Sequence, residues 1–320
     1  MNWVPARFPH EITDQEAGQK IVDNINEALK TIEEYSGVAI RAKLDSFHVN
    51  PDTDAPISWS IEICPVHYFH TEWLSTEKGE GGISSWTTFK NTLKWLFGWM
   101  RKEQKMVPSA KKKRKDGTLV QYPGGGCHIN IGADLFPMSH RFYGQMERFH
   151  RNLAVDYANR PYLRWLFADW FSNIAHHSLW NPDSGPINKW LHANESREDF
   201  LFRTMIRGTH AIESRFMASN KGAHNTFEFR FFRMVEDPEE LRLIALFTEA
   251  WVSHLTFSVY ENKTIEFNLT KRRWAEFKNS RTVWAQHIAP FIKSLGLKPN
   301  DYRMFFERNY LTRLKFGKME

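Results

Sequence analysis

Cysteine is scarce in this chain: Cys64 and Cys127 are the only two in 320 residues. They lie far apart and in no metal-ligand spacing, which argues against a disulfide-stapled scaffold and against a cysteine-based zinc site. Such usage suits a reducing compartment, so a cytoplasmic location is expected. Long hydrophobic runs are lacking as well. No stretch reaches the roughly 18–20 uninterrupted apolar residues of a membrane span, and residues Met1 to His10 carry no apolar segment of a secretion signal. A membrane partner is therefore not expected. The phosphate-cradling patterns G-x-G-x-x-G and G-x-x-x-x-G-K-S/T are absent, which disfavours a doubly wound nucleotide fold. Internal repeats and low-complexity linkers are missing too.

What the chain has in excess is aromatic surface: 25 Phe, 13 Trp and 9 Tyr make up 15% of it. With 42% hydrophobic residues overall, this is a chain able to bury a large core in one domain or two. The charge balance is basic, 43 Lys and Arg against 37 Asp and Glu, for a net +6. That excess is local. The run Lys111, Lys112, Lys113, Arg114 and Lys115 supplies nearly all of it, and the chain without those five residues stands at +1. The run reads as a solvated loop tip. If used, it would attract an acidic partner, a phosphate-bearing substrate or nucleic acid.

Periodicity orders the chain as β-α-β-β-α-β-β, then helices, then β-α. A strand within residues 2–13 ends at Ala6 to Ile12. Thr13 followed by Glu16 reads as a capping box opening a helix, with Ile21, Ile25, Ala28, Leu29 and Ile32 on its apolar face and Gly37 closing it. Val38 to Val49 and Ser58 to Cys64 read as strands around the turn Pro51 to Pro56. A helix from Ser85 to about Arg101 carries Phe89, Leu93, Leu96, Phe97 and Met100 on one face. Further strands are expected at Thr118 to Tyr122, at Cys127 to Ile131 and at Phe227 to Phe232. Helices are expected over 139–216, from Pro238 and over 271–296. Hairpin-like pairs in mixed order with helices predict an α+β fold built on a mostly antiparallel sheet.

Two strands carry the chemistry. In Gly124-Gly-Gly-Cys-His128-Ile-Asn130, a polar group alternates with bulky apolar ones, and the same holds in Thr226-Phe-Glu228-Phe-Arg230-Phe-Phe232. On a strand Glu228 and Arg230 share one face, while Phe227, Phe229 and Phe231 take the other. A carboxylate beside a guanidinium can hold a cation and a phosphate respectively; it can equally form an ion pair on a solvated face. His128 and Asn130 share a face in the same way.

These two strands resemble the G-x-H and E-x-R signatures of the glutamine synthetase-like carboxylate–amine ligases, in particular the amidoligase family. Two further segments agree in order: Trp59 to Pro65 is similar to the family's G-x-E-I-x-x-P strand, and Arg215 to Asn220 to its R-Y-x-x-x-N segment. Asp237-Pro238 then opens a hydrophobic helix, as in the family. The resemblance spans roughly residues 8–260. It implies a curved, mostly antiparallel sheet like the glutamine synthetase catalytic domain, with helices packed on the convex face. It also implies a catalytic domain over 1–262 with a helical insertion at about 139–212, and a C-terminal helical extension over 263–320. The implied activity is ATP-dependent joining of a small-molecule or peptide carboxylate to an amine through an acyl phosphate, with ATP and two Mg2+ ions bound on the concave face. By the same resemblance Glu11, Glu62, His128 and Glu228 are metal ligands. Arg230 and Arg215 act on the phosphate or carboxylate, and Asn130 and Asn220 lie with Arg230 at the nucleotide. One position departs from the family pattern. The first-strand E-x-E pair keeps Glu11 but has Thr13 in second place, which leaves the metal site to another ligand such as Asp45, or makes the chain a binding protein on a ligase fold.

Overall fold

The computed structural model describes residues 2–5, 12–49, 52–53, 56–66, 71–79, 81–108, 112–113, 119–120, 127–132, scattered positions from 145 to 160, 161–167, 219–222, 226–232, 235, 237–266, 268 and 282–315. Helices and antiparallel strands are mixed, as an α+β chain requires. The chain divides into two compact units, Met1–Cys127 with Met234–Arg242, and His128–Arg233 with Leu243–Glu320.

The first unit is built on a four-stranded sheet in the order β2-β3-β1-β4. Its strands are β1 (Asn2–Pro5), β2 (Ile40–Val49), β3 (Pro56–Pro65) and β4 (Met106–Pro108). β2 and β3 pair antiparallel, with Lys43 opposite Glu62 and Asp45 opposite Ser60. β1 lies between β3 and β4, antiparallel to both. Of the strand expected within residues 2–13, β1 covers Asn2–Pro5, and residues 6–11 lie outside the described residues. Ile12 then rejoins the sheet through a two-way backbone bridge to Trp59, 3.0 and 2.8 Å.

From that bridge α1 (Gln15–Ser36) starts one residue later than the capping box predicts. Asp14 is the N-cap, its carboxylate accepting from the Ala17 N–H at 3.1 Å, while Thr13 is exposed and outside the helix. Both residue types cap well, but a carboxylate also meets the positive end of the helix dipole. Gly37 closes the helix at φ 68°, donating its N–H to the Glu33 carbonyl. Gly18, Val22, Ile25 and Leu29 are buried. A Cβ on Gly18 would lie 2.9 Å from Ile12 and from Leu44, so the missing side chain lets the first turn press onto β2.

Asn26 fixes the same helix to the sheet edge. Its Nδ2 donates to the Ala42 carbonyl at 3.0 Å and its Oδ1 accepts from the Ala42 N–H at 2.7 Å, so one amide side chain takes the place of a neighbouring strand. The second helix of this unit, α2 (Ser85–Lys102), is capped by the Ser84 hydroxyl, which accepts from the Thr87 N–H. The five apolar residues expected on its face are buried, together with Trp86 and Thr92. The basic run is more than a loop tip. Lys112–Lys113 form β5, antiparallel to β6 (Leu119–Val120), which falls within the strand expected over Thr118 to Tyr122.

The second unit holds a three-stranded sheet in the order β7-β9-β8, from β7 (Cys127–Gly132), β8 (Ser219–Gly222) and β9 (Thr226–Phe232). Rather than one curved sheet, the described strands thus form three separate ones. Its other elements are a short α3 (Arg164–Phe167), the long α4 (Pro238–Tyr260), α5 (Ala289–Ser294) after a π-helical turn, and α6 (Pro299–Lys315). Asp237 accepts from the Glu239 N–H at the start of α4, and Pro238 takes the first helical position, where a missing N–H costs nothing.

By length and composition alone, α4 could cross a bilayer. Its residues Leu243, Ile244, Phe247, Trp251, Val252, Leu255 and Val259 are buried in this unit, which is how a core helix reaches the same hydropathy. Around it the aromatic excess condenses. Phe247 lies 4.6 Å from Phe167 and 5.6 Å from Trp251 between ring centres, and Phe291, Tyr302 and Phe305 complete the cluster with tilted and edge-on contacts.

Candidate functional site

β9 is the middle strand of its sheet, so its backbone is paired on both sides and its register is fixed. Phe229 is buried against Trp251 and Phe232 against Phe167. Both rings thus contact the aromatic cluster of this unit. By the alternation of a strand, positions Glu228 and Arg230, which flank Phe229, belong to the opposite face. Across the ladder, β8 sets Asn220 opposite Glu228. On the other side of β9 lies β7, with His128 half-buried and Asn130 exposed two positions on. Five of the eight sequence-derived site residues therefore belong to one three-stranded sheet: His128, Asn130, Asn220, Glu228 and Arg230.

Glu62 lies in the first unit, on β3. Glu11 and Arg215 lie outside the described residues.

Glu62 already has a cation. Lys43, its cross-strand neighbour, places Nζ 2.8 Å from the Glu62 carboxylate, whose side chain is only 19% exposed. Burial alone would lower the Lys43 pKa, but the hydrogen bond and charge of Glu62, with help from Asp45, outweigh it and raise it above the ordinary lysine value. The ammonium thus occupies the Glu62 carboxylate that the resemblance assigns to a metal. A divalent ion would have to displace it. Among the described residues no group of three or more His, Cys, Asp or Glu side chains could hold a metal ion. The described donors therefore do not fit the pair of magnesium ions that the resemblance implies.

Cys127, at the start of β7, senses the same carboxylate. Burial pushes its thiol up to about 11, and the Glu62 charge adds to the shift. Both cysteines are free thiols, and Cys127 is a buried, neutral one with no character of a nucleophile at neutral pH.

Sequence reading missed a second polar centre, inside the second unit. Asp156, 4% exposed, receives two hydrogen bonds from Arg160 at 2.8 and 2.9 Å and one from the Trp251 indole at 2.8 Å. The Arg160 guanidinium lies 3.7 Å from the Phe291 ring centre and donates to the Tyr162 hydroxyl at 2.9 Å. Its burial favours the neutral form, but the Asp156 charge overcomes this and holds it above the ordinary arginine range. With each guanidinium nitrogen engaged, this centre ties Asp156, Arg160, Tyr162 and Trp251 together in the core. The four-residue separation of Asp156 and Arg160 was its visible signal. No family model matches the chain, and no curated protein or solved structure matches it significantly.

Proposed function

We propose that the chain is an ATP-dependent carboxylate–amine ligase with a glutamine synthetase-like fold, and that the sheet of β7, β9 and β8 is its phosphate-handling surface. The observation that carries this reading is the register that sets Asn220 opposite Glu228, two positions from Arg230 and next to the strand of His128 and Asn130. In this chemistry a substrate carboxylate oxygen attacks the γ-phosphorus of ATP, the bond to the β-phosphate oxygen breaks, and ADP leaves. An amine then attacks the acyl carbon, inorganic phosphate departs and the nitrogen loses a proton. Arg230 is suited to the charge that spreads over the transferring phosphoryl oxygens, and the two asparagines to hydrogen bonds with phosphate or ribose. No step is assigned to magnesium, since the described donors do not form its site.

ADP release is the test, measured with pools of candidate carboxylates and amines for the native chain, Arg230→Ala and Glu228→Ala. Turnover should fall about 100-fold or more on loss of the arginine; turnover indifferent to both substitutions would overturn the assignment. A second reading, a binding protein on a degenerate ligase fold, is favoured by one observation, the Lys43 ammonium on Glu62. It predicts ATP binding by calorimetry without ADP release under any substrate pool.

A further inference from the structure

The outer face of α2 carries a feature that the ligase reading does not use. Trp95 and Trp99, one turn apart, stack with ring centres 5.8 Å apart and planes inclined by only 12°. Trp95 remains 43% exposed, an unusual place for an indole when the opposite face of the same helix buries seven side chains. At 100° per residue, Lys94, Gly98 and Arg101 form the adjacent stripe, with Lys102 next to the indoles in the last turn. Gly98 leaves a gap between the two stripes: a Cβ there would meet nothing within 4 Å. Exposed Asn91 borders the same gap with an amide. α2 itself has four cations and no carboxylate, and Glu103, just past its end, lies 3.8 Å from Lys102.

A flat aromatic pair edged by cations, with an open slot between them, matches a ligand that is planar and anionic along its length. The geometry points to single-stranded nucleic acid as the occupant, with bases stacking on Trp95 and Trp99 and phosphates tracking Lys94, Arg101 and Lys102. A bilayer fits less well, because two indoles form a narrow stripe rather than the broad apolar face of an interfacial helix. Duplex fits less well too, since its bases are already stacked.

The test is anisotropy of a labelled oligo(dT) and an oligo(U) of about 20 nucleotides with the full chain, at low and moderate salt. Trp95→Ala with Trp99→Ala should weaken binding about tenfold or more while leaving its salt dependence intact. Lys94→Gln with Arg101→Gln should instead reduce the slope of log affinity against log salt by roughly 1.4, the share of two phosphate contacts on a single strand. Gly98→Leu, on an exposed helix position, should weaken binding by filling the slot without lowering the melting temperature, and so separates a docking defect from a folding one. Three outcomes would overturn the proposal: no binding at low salt, duplex competing as well as single strand, or binding lost only on neutralising Lys111 to Lys115. Capture by anionic vesicles in place of the oligonucleotides would overturn it in favour of a membrane surface.

Discussion

Three asparagines in this chain use both ends of a side-chain amide to hold backbone groups of a distant segment. Asn26 holds both polar groups of Ala42 on the edge of β2. Asn152 donates to the Lys263 carbonyl and accepts from the Ile265 N–H, and Asn159, seven residues on, does the same for Glu266 and Asn268. A side-chain amide offers one donor and one acceptor in a plane, as a peptide does, so it can stand in for a strand. Asn26→Ala should therefore cost about 1–3 kcal/mol, because two part-buried backbone groups lose their partners. Urea denaturation measures it, and an unchanged midpoint would mean that water satisfies the edge equally well. At Cys127, burial favours the neutral thiol, so the folded chain keeps this proton to about pH 11 while an ordinary thiol releases it near 9.0. Stability from this group is full below pH 9 and is lost as pH rises toward 11, by roughly 3 kcal/mol in all. Cys127→Ala should flatten that alkaline limb in melting curves taken from pH 8 to 11.

At the scale of elements, α1 shows how a local signal can be right in kind and wrong by one residue. Thr13 and Asp14 are adjacent and both are good caps, so local preference alone does not choose between them. The sheet makes the choice: the Ile12 bridge to Trp59 holds the chain extended, and Gly18 brings the first turn onto Leu44. Asp14→Ala is expected to cost about 1 kcal/mol and Thr13→Ala less than about 0.5 kcal/mol. Thermal melts of the two variants rank them, and the reverse order would restore the capping box. α2 was legible almost to its last residue, because a capping serine, a strict apolar stripe and a basic final turn agree. Its outer tryptophans were not, since a stacked exposed pair and a buried pair look alike in sequence.

For the whole molecule, the two units have different kinds of interior. The first is a sheet edged by Asn26 and covered by aliphatic side chains of α1. The second is an aromatic core threaded by the Asp156, Arg160 and Trp251 centre. Asp156→Ala leaves the guanidinium buried without its carboxylate and should destabilise by about 3–5 kcal/mol. Native-state hydrogen exchange locates the effect: amides of α4 and α6 should lose protection while those of β2 and β3 change little. Equal loss in both would show that the units unfold as one.

The sequence by itself determined most of the elements, the α+β mixture and the pairing of Glu228 with Arg230 on one strand face, because these arise from a period of two or 3.6 residues and from turn chemistry acting over a few positions. Only the tertiary structure decided which strands share a sheet, that Glu62 pairs with Lys43 across the ladder, and that Asp156 and Trp251 meet across 95 residues. Those outcomes depend on register and on long-range packing, in which a group's partner is chosen by burial and charge. The scarcity of cysteine sharpened in the same way. Two thiols excluded staples from the start, but it took the packed fold to make Cys127 a buried thiol held neutral beside a carboxylate.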